Sequence, residues 1–300
     1  MARRRDVVVA VIIGVAFVAA IGFFGLIVIG LFSVQNGVGF ASFGGNVGVI
    51  EVFGVIDETS GRPVIKQLDK WADNNSIKAI VVHINSPGGG VAISQEVYDA
   101  MKRARVEKPL VVAMASVAAS GGYYLACAAD RVVANPGTLT GSIGVIMQFH
   151  TIKNLLDKVG VETETVKSGE LKDVGTYARS MTKKEELMLR SVIMDTYEQF
   201  VEIVAEGRGK EIEEVYHLAD GSIFTGLQAY NLGLVDTLGG LNEAVEIAGE
   251  LAGLEGKPKV IRPFKREKIS IFDLLGSLLG RLDERFENSV VGPQLLYLYQ

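Results

Sequence analysis

Ser120 lies in the run Val117-Ala-Ala-Ser-Gly-Gly-Tyr-Tyr-Leu-Ala126, behind the apolar segment 110–115 and ahead of the small-residue stretch 122–129. The first segment predicts a buried strand and the second a helix. A serine at such a junction, followed by two glycines, presents its hydroxyl to a substrate while the amides of the helix start point at the same spot. Together these make a nucleophile with half an oxyanion hole. The same residues also suit a tight turn with close helix–strand packing, so the run alone leaves both readings open.

A second candidate is Asn85-Ser-Pro-Gly-Gly-Gly90, a glycine-rich loop predicted between a strand and a helix. Its exposed amides suit an oxyanion or a substrate backbone. The Gly-Lys-Ser/Thr ending of a P-loop is missing, which speaks against nucleotide binding. In an open parallel sheet, ligands bind beyond the carboxyl ends of the strands, where both the Gly88 loop and the Ser120 turn fall. A serine needs a base. Of the three histidines, His83 belongs to a strand expected to be buried and His217 to a distal helical part. His150 is the best placed, in surroundings that show no preorganisation, and lysine is the alternative.

The elements that would position these groups alternate. Residues 47–56 read as a first strand or strand pair, 62–74 as an amphipathic helix, and 77–84 as a strand covered on both faces. A helix over 91–106 precedes the 110–115 strand and the Ser120 helix. A strand at 131–134, a turn at 135–137, a helix over 152–159 and an extended piece at 162–167 follow. Thr182 to Glu185 is a capping box opening a long helix to about Glu206, stopped by Gly207-Arg-Gly209. Helices at 212–218, 227–232 and 241–251 complete the pattern. The class is α/β with a largely parallel sheet and a helical C-terminal part.

Arg3, Arg4 and Arg5 precede Val7 to Phe32, 26 residues without a charge. As a helix that run would reach roughly 39 Å, more than a bilayer's hydrocarbon core. It is too long for a cleavable signal peptide. The expected organisation is a signal anchor at 1–32 with its N-terminus cytoplasmic, a flexible tether at 33–46, an extracytoplasmic domain at 47–257 and an amphipathic segment at 258–300, in a bacterium or an archaeon. The apolar stretch 269–282 would seal a subunit interface or lie on the membrane.

Formal net charge is −5. Three of the 30 basic residues and one of the 35 acidic ones lie in the first 32, so the rest carries −7. That balance argues against nucleic acid as a partner. The single cysteine, Cys127, permits no intramolecular disulfide, and with three histidines a dedicated metal site is not expected.

Four motifs in order complete the reading: Asn-Ser-Pro-Gly-Gly at 85–89, Ala-Ser-Gly-Gly-Tyr-Tyr at 119–124, Thr-Gly-Ser-Ile-Gly-Val at 140–145 and Lys-Ser-Gly-Glu-Leu-Lys-Asp at 167–173. With Thr225–Ala229 and Gly233–Asp236, they make residues 47–251 resemble the signal peptide peptidase A family of serine proteases. The resemblance implies the Clp protease/crotonase fold of repeated ββα units and a Ser–Lys dyad. Ser120 would be the nucleophile and Lys172, 52 positions later, the general base. Ser142 would orient the lysine, and the amides of Gly88 or Gly89 and of Gly121 would form the oxyanion hole. The histidine of Clp protease would fall near 140–145, where this chain has none.

The resemblance further implies cleavage of remnant signal peptides or other unfolded apolar peptides without any cofactor, and a ring of identical copies. A crotonase-type acyl-CoA enzyme, using the same oxyanion hole without a nucleophile, is the alternative. A non-catalytic peptide-binding scaffold is a third reading. Against the dyad, Lys172 stands between Glu170 and Asp173, where a lysine is ordinarily solvated and charged.

Overall fold

The computed structural model describes residues 47–263 and the backbone of Leu296–Leu298. The apolar runs at 7–32 and 269–282 and the tether lie outside the described residues. Among those described, no helix is long and apolar enough to cross a membrane.

β1 (Val47–Phe53), β2 (Ala79–Ser86) and β4 (Leu110–Ala119) form the centre of a mostly parallel sheet. β9 (Val260–Ile261) pairs with β1 on the outer side. β4 is long enough to carry two successive partners on its far edge: β5 (Arg131–Ala134) along 111–114 and β6 (Leu139–Gly141) along 117–119. β8 (Thr237–Leu238) continues from β5, and β7 (Ile223–Thr225) closes β6 as an antiparallel pair. This is an α/β architecture with a mixed, mostly parallel sheet.

Side-chain alternation shows why these strands read as near-continuous apolar runs. On one face Ile50, Val52, Ile80, Val82, Ile84, Val112 and Met114 join the larger core. It is covered by α1 (Glu58–Ala72), α2 (Val91–Glu107), α3 (Gly121–Ala126) and α5 (Lys183–Arg208). On the other, Val47, Val49, Ala79, Val81, Val111 and Ala113 meet Ala244, Val245 and Ala248 of α8 (Leu241–Leu251). Both faces are buried, so apolar residues appear at odd and even positions alike.

The remaining helices are α4 (Lys153–Val159), α6 (Ile212–Tyr216) and α7 (Gly226–Asn231). α1 begins earlier than the predicted position 62. Asp57 caps it, accepting from Ser60 N–H at 2.8 Å, while Ser60 Oγ accepts from Asp57 N–H at 3.0 Å. Pro63 then sits inside the helix instead of at its start. The capping box of α5 forms as predicted: Glu185 N–H donates to Thr182 Oγ1, and Thr182 N–H to Glu185 Oε2 at 2.8 Å. Its stop falls at Gly209, which is left-handed at φ 59°.

Two predictions are corrected beside the site. β4 runs four residues past Ala115, because β6 gives 117–119 a ladder partner that the apolar pattern does not reveal. Gly88–Gly90, predicted to be loop, is a short strand, β3. Its pairing with Ile56 on one side and with β10 (Leu296–Leu298) on the other supplies the ladder that three glycines cannot signal by themselves.

Candidate active site

Ser120 ends β4 and caps α3 at φ 52°, ψ −116°. A non-glycine residue there carries strain of order 1–3 kcal/mol and persists only where its surroundings impose it. They do: Ser120 N–H donates to Gly141 C=O at 2.8 Å, and its own C=O accepts from Tyr124 N–H at 2.8 Å. The residue is 1% exposed, and its Oγ has no hydrogen-bond partner among the described residues. No histidine supplies one. His150 and His217 are exposed. His83 is half-buried, which corrects the expectation that the sheet encloses it. Its ring meets the edge of Phe53 at 5.2 Å, and Phe53 is itself exposed. Burial still lowers the imidazole's pKa.

β3 runs beside this serine. Gly88, at φ 108°, accepts from Ile56 N–H at 2.8 Å, and Gly90 N–H donates to Ile56 C=O at 2.8 Å. A Cβ on Gly89 would lie 2.0 Å from the Ile56 oxygen, so nothing larger than glycine fits between the strands. Gly88 N–H is engaged by Ser86 Oγ at 3.1 Å. Because Gly88 and Gly90 spend their ladder groups on Ile56, those of Gly89 face the opposite side, where Leu296–Leu298 runs antiparallel. A Cβ on Gly121 would stand 3.2 Å from Gly89 N and Gly88 Cα, and 3.0 Å from Ser94 Oγ. The Gly89 amide thus lies against the first residue of α3, one position past Ser120.

Ser142 follows Gly141, the residue that holds the Ser120 amide. It too has positive φ, 51°, and its N–H donates to Ser222 C=O at 2.7 Å. Its side chain is 8% exposed and opens into a groove of about 660 Å³, whose apolar wall includes Val145, Ile146, Ile193 and Met194.

Lys172 is placed differently. It is exposed, in a turn closed by its own N–H on Gly169 C=O at 3.1 Å, and its ammonium has no ion pair among the described residues. Within one chain it is not bonded to Ser120. Much of the arm around it is exposed: residues 161–170 are exposed, α4 buries no residue, and Leu155, Val159 and Val166 face solvent. Cys127 is no competing nucleophile, since burial pushes its thiol up to about 12.

The fold therefore brings Ser120, Gly88, Gly89, Gly121 and Ser142 together and leaves Lys172 outside. Sequence reasoning missed Ser86, whose hydroxyl is spent on Gly88 and so leaves Gly89 as the available amide. The short Ser-Pro-Gly turn was its signal. It also missed Ser94, a fully buried hydroxyl without a partner among the described residues. One serine on an amphipathic helix gives no such hint.

Residues 102–255 match the model of peptidase family S49, and residues 46–138 that of Clp protease. A putative protease of Synechocystis sp. is 43% identical over 206 residues, 69% of this chain and 74% of that protein. A putative signal peptide peptidase SppA of Enterococcus faecium is 38% identical over 61% of this chain and 53% of that protein. Protease 4 of Haemophilus influenzae is 34% identical over 68% of this chain, which spans only 34% of that longer protein.

Proposed function

This chain belongs to peptidase family S49, and from that premise we propose that it is a membrane-anchored serine endopeptidase in which Ser120 attacks a peptide carbonyl and Lys172 of a neighbouring copy serves as base. The observation that carries the reading is Ser120 itself. It is a strained, nearly buried serine whose hydroxyl is unpaired among the described residues, beside two glycine amides.

In this reading the steps are as follows. An extended peptide adds as a strand to the Gly88–Gly90 edge, the mode by which Leu296–Leu298 pairs with it. Ser120 Oγ attacks the scissile carbonyl as the Lys172 amine takes the hydroxyl proton. The developing oxyanion is held by the amides of Gly89 and Gly121. Lys172, now protonated, gives that proton to the leaving amine. Water then hydrolyses the acyl–Ser120 ester by the same route. The buried polar groups around Ser120 are Ser86, Ser94, Thr140 and Ser142, all hydroxyl-bearing. A lysine docked among them loses solvation, which lowers its pKa from the ordinary ~10.4 towards the working range.

Completion by a neighbour is supported by two complementary features. Ser120 Oγ has no hydrogen-bond partner among the described residues of its own chain, and the arm carrying Lys172 exposes apolar residues. A ring of copies, each extending its arm to the next, would cover these residues and finish every site. Ser142, which lines the apolar groove, would receive the incoming ammonium. The arginines and the uncharged run at 3–32 motivate the anchor, and with it substrates that are apolar peptides released at a membrane. No step needs a metal or cofactor.

The test is covalent labelling with a serine-directed phosphonate together with cleavage of an unfolded protein. Ser120→Ala is expected to lose both. Labelling that persists in Ser120→Ala puts the nucleophile elsewhere, and acyl-CoA turnover without labelling would favour the crotonase-type reading.

A further inference from the structure

Lys172 stands between two carboxylates, Glu170 and Asp173, yet pairs with neither. Each is engaged by other cations. Glu170 is paired with Lys184 of α5. Asp173 is held twice, by Lys167 at 2.5 Å and by Arg179 at 2.8 Å, and its side chain is only 13% exposed. Arg179 bridges on to Glu185 at 2.5 Å, and Glu185, at 2% exposure, is the capping-box residue of α5. In an arm whose stretch 161–170 buries nothing, this chain of ion pairs is the fixed point. It ties the residue next to Lys172 to the start of a helix whose Phe200, Val201 and Val204 lie in the core.

We propose that the Asp173–Arg179–Glu185 chain, with Lys167 and Lys184, is a positioning and charge-sequestering device for Lys172: it holds the lysine's turn in place and keeps both acidic neighbours from pairing with the ammonium. The inference rests on the reading of Lys172 as the base. A carboxylate beside an ammonium favours the charged form, typically by one to three pH units, which is the wrong direction for a base. A carboxylate already neutralised by two cations exerts little of that pull. The direction of the Asp173 shift agrees: hydrogen bonds from Arg179, then Lys167, hold its carboxyl well below the usual range. Glu185 is brought down to about 2, first by Arg179 and then by the Thr182 amide.

Other charged groups come from the elements packed beside this turn. The segment preceding α4 packs on it through Ile152 N–H to Tyr177 C=O at 2.8 Å, and brings exposed His150. α4 brings Lys153, paired with Asp157. α5 brings Lys183 and Glu186, paired with each other, besides Lys184 and Glu185.

The test is the pH profile of kcat/KM on the full chain. Its acid limb reports the base in the free enzyme. Arg179→Gln frees Asp173 to pair with Lys172, so the limb is expected to move to higher pH by about one unit, with a roughly tenfold loss of rate below it. KM should be little changed. Asp173→Asn should leave the limb in place or lower it. The double variant Arg179→Gln/Asp173→Asn should return it to the wild-type position, a rescue that a purely structural arginine would not permit. Lys167→Gln, which spares the Arg179–Glu185 pair, should move the limb the same way by less, and it decides the matter if Arg179→Gln does not fold. A limb unmoved in folded Arg179→Gln, or moved without rescue by Asp173→Asn, overturns the proposal. Lys172→Ala at near wild-type activity would instead overturn the base assignment beneath it.

Discussion

Gly121→Ala probes the proposed oxyanion hole with one carbon atom. The added Cβ would meet Ser94 Oγ at 3.0 Å, and Gly88 Cα and Gly89 N at 3.2 Å. These contacts are tighter than ordinary ones by a few tenths of an ångström, and two of them are backbone, which cannot rotate away. β3 and the start of α3 must therefore part by about that amount, against the bonds by which Ile56 holds Gly88 and Gly90 from behind. Overpacking of this kind costs roughly 1–3 kcal/mol, offset by up to about 1 kcal/mol for replacing glycine in a helix. Melting should fall by no more than a few degrees.

The catalytic effect should be larger. A misplacement of about 1 Å can cost a hundredfold, and outright loss of one oxyanion donor costs roughly 10² to 10³ in kcat. A shift of a few tenths of an ångström should therefore lower kcat by roughly ten- to a hundredfold, with KM nearly constant. Gly137→Ala is the control, since a Cβ there meets nothing within 4 Å. Steady-state cleavage of a peptide substrate, beside a melting curve, separates the two effects. Wild-type kcat in a well-folded Gly121→Ala protein would refute the assignment of the Gly89 and Gly121 amides.

Four further outcomes follow from the same contacts. Ser120→Gly should be inactive yet more stable than Ser120→Ala by about 1 kcal/mol, since glycine relieves the positive φ that alanine retains; equal denaturation midpoints would count against strain at the nucleophile. Tyr297→Pro removes a backbone donor from the strand on the Gly88–Gly90 edge, so KM for an added peptide should fall at constant kcat; an unchanged KM would mean that β10 does not compete with substrate. Asp236→Ala strands Arg208, whose side chain is 7% exposed, and also leaves the Val132 amide without its acceptor. It should cost roughly 3–5 kcal/mol by urea denaturation without changing kcat per folded molecule. Glu185 has a folded pKa of about 2, below its unfolded value, so its stabilisation is present above the ordinary carboxylate range and is lost as pH falls towards 2. The melting difference between wild type and Glu185→Gln should shrink on acidification from pH 6 and vanish near pH 2.

Much of the fold was legible because burial on both faces of a parallel sheet leaves apolar runs at 77–84, 110–115 and 131–134, and because Thr182 and Gly209 punctuate α5 chemically. What escaped depended on partners distant in sequence. Three glycines become a strand only when Ile56 and Leu296–Leu298 lie alongside. β4 extends past Ala115 only because β6 is there. The junction itself was legible, since strand, Ser and two glycines in order marked Ser120 as a candidate, and the structure gives that residue a positive φ. The role proposed for Lys172 was not, since no local pattern distinguishes a base from a solvated lysine between two acids. Resemblance supplied it, and only side-chain geometry reveals that Lys167, Arg179 and Lys184 occupy those acids.

The claim that Ser120 and Lys172 act as one site across two copies is tested most directly by co-expressing Ser120→Ala with Lys172→Ala. Each alone should be inactive, and the mixed assembly should regain about a quarter of wild-type cleavage, because a random ring pairs an intact serine with a neighbour's intact lysine at that frequency. A mixed assembly as inactive as its parents would contradict completion by a neighbour, and cleavage by Lys172→Ala alone would contradict the dyad itself.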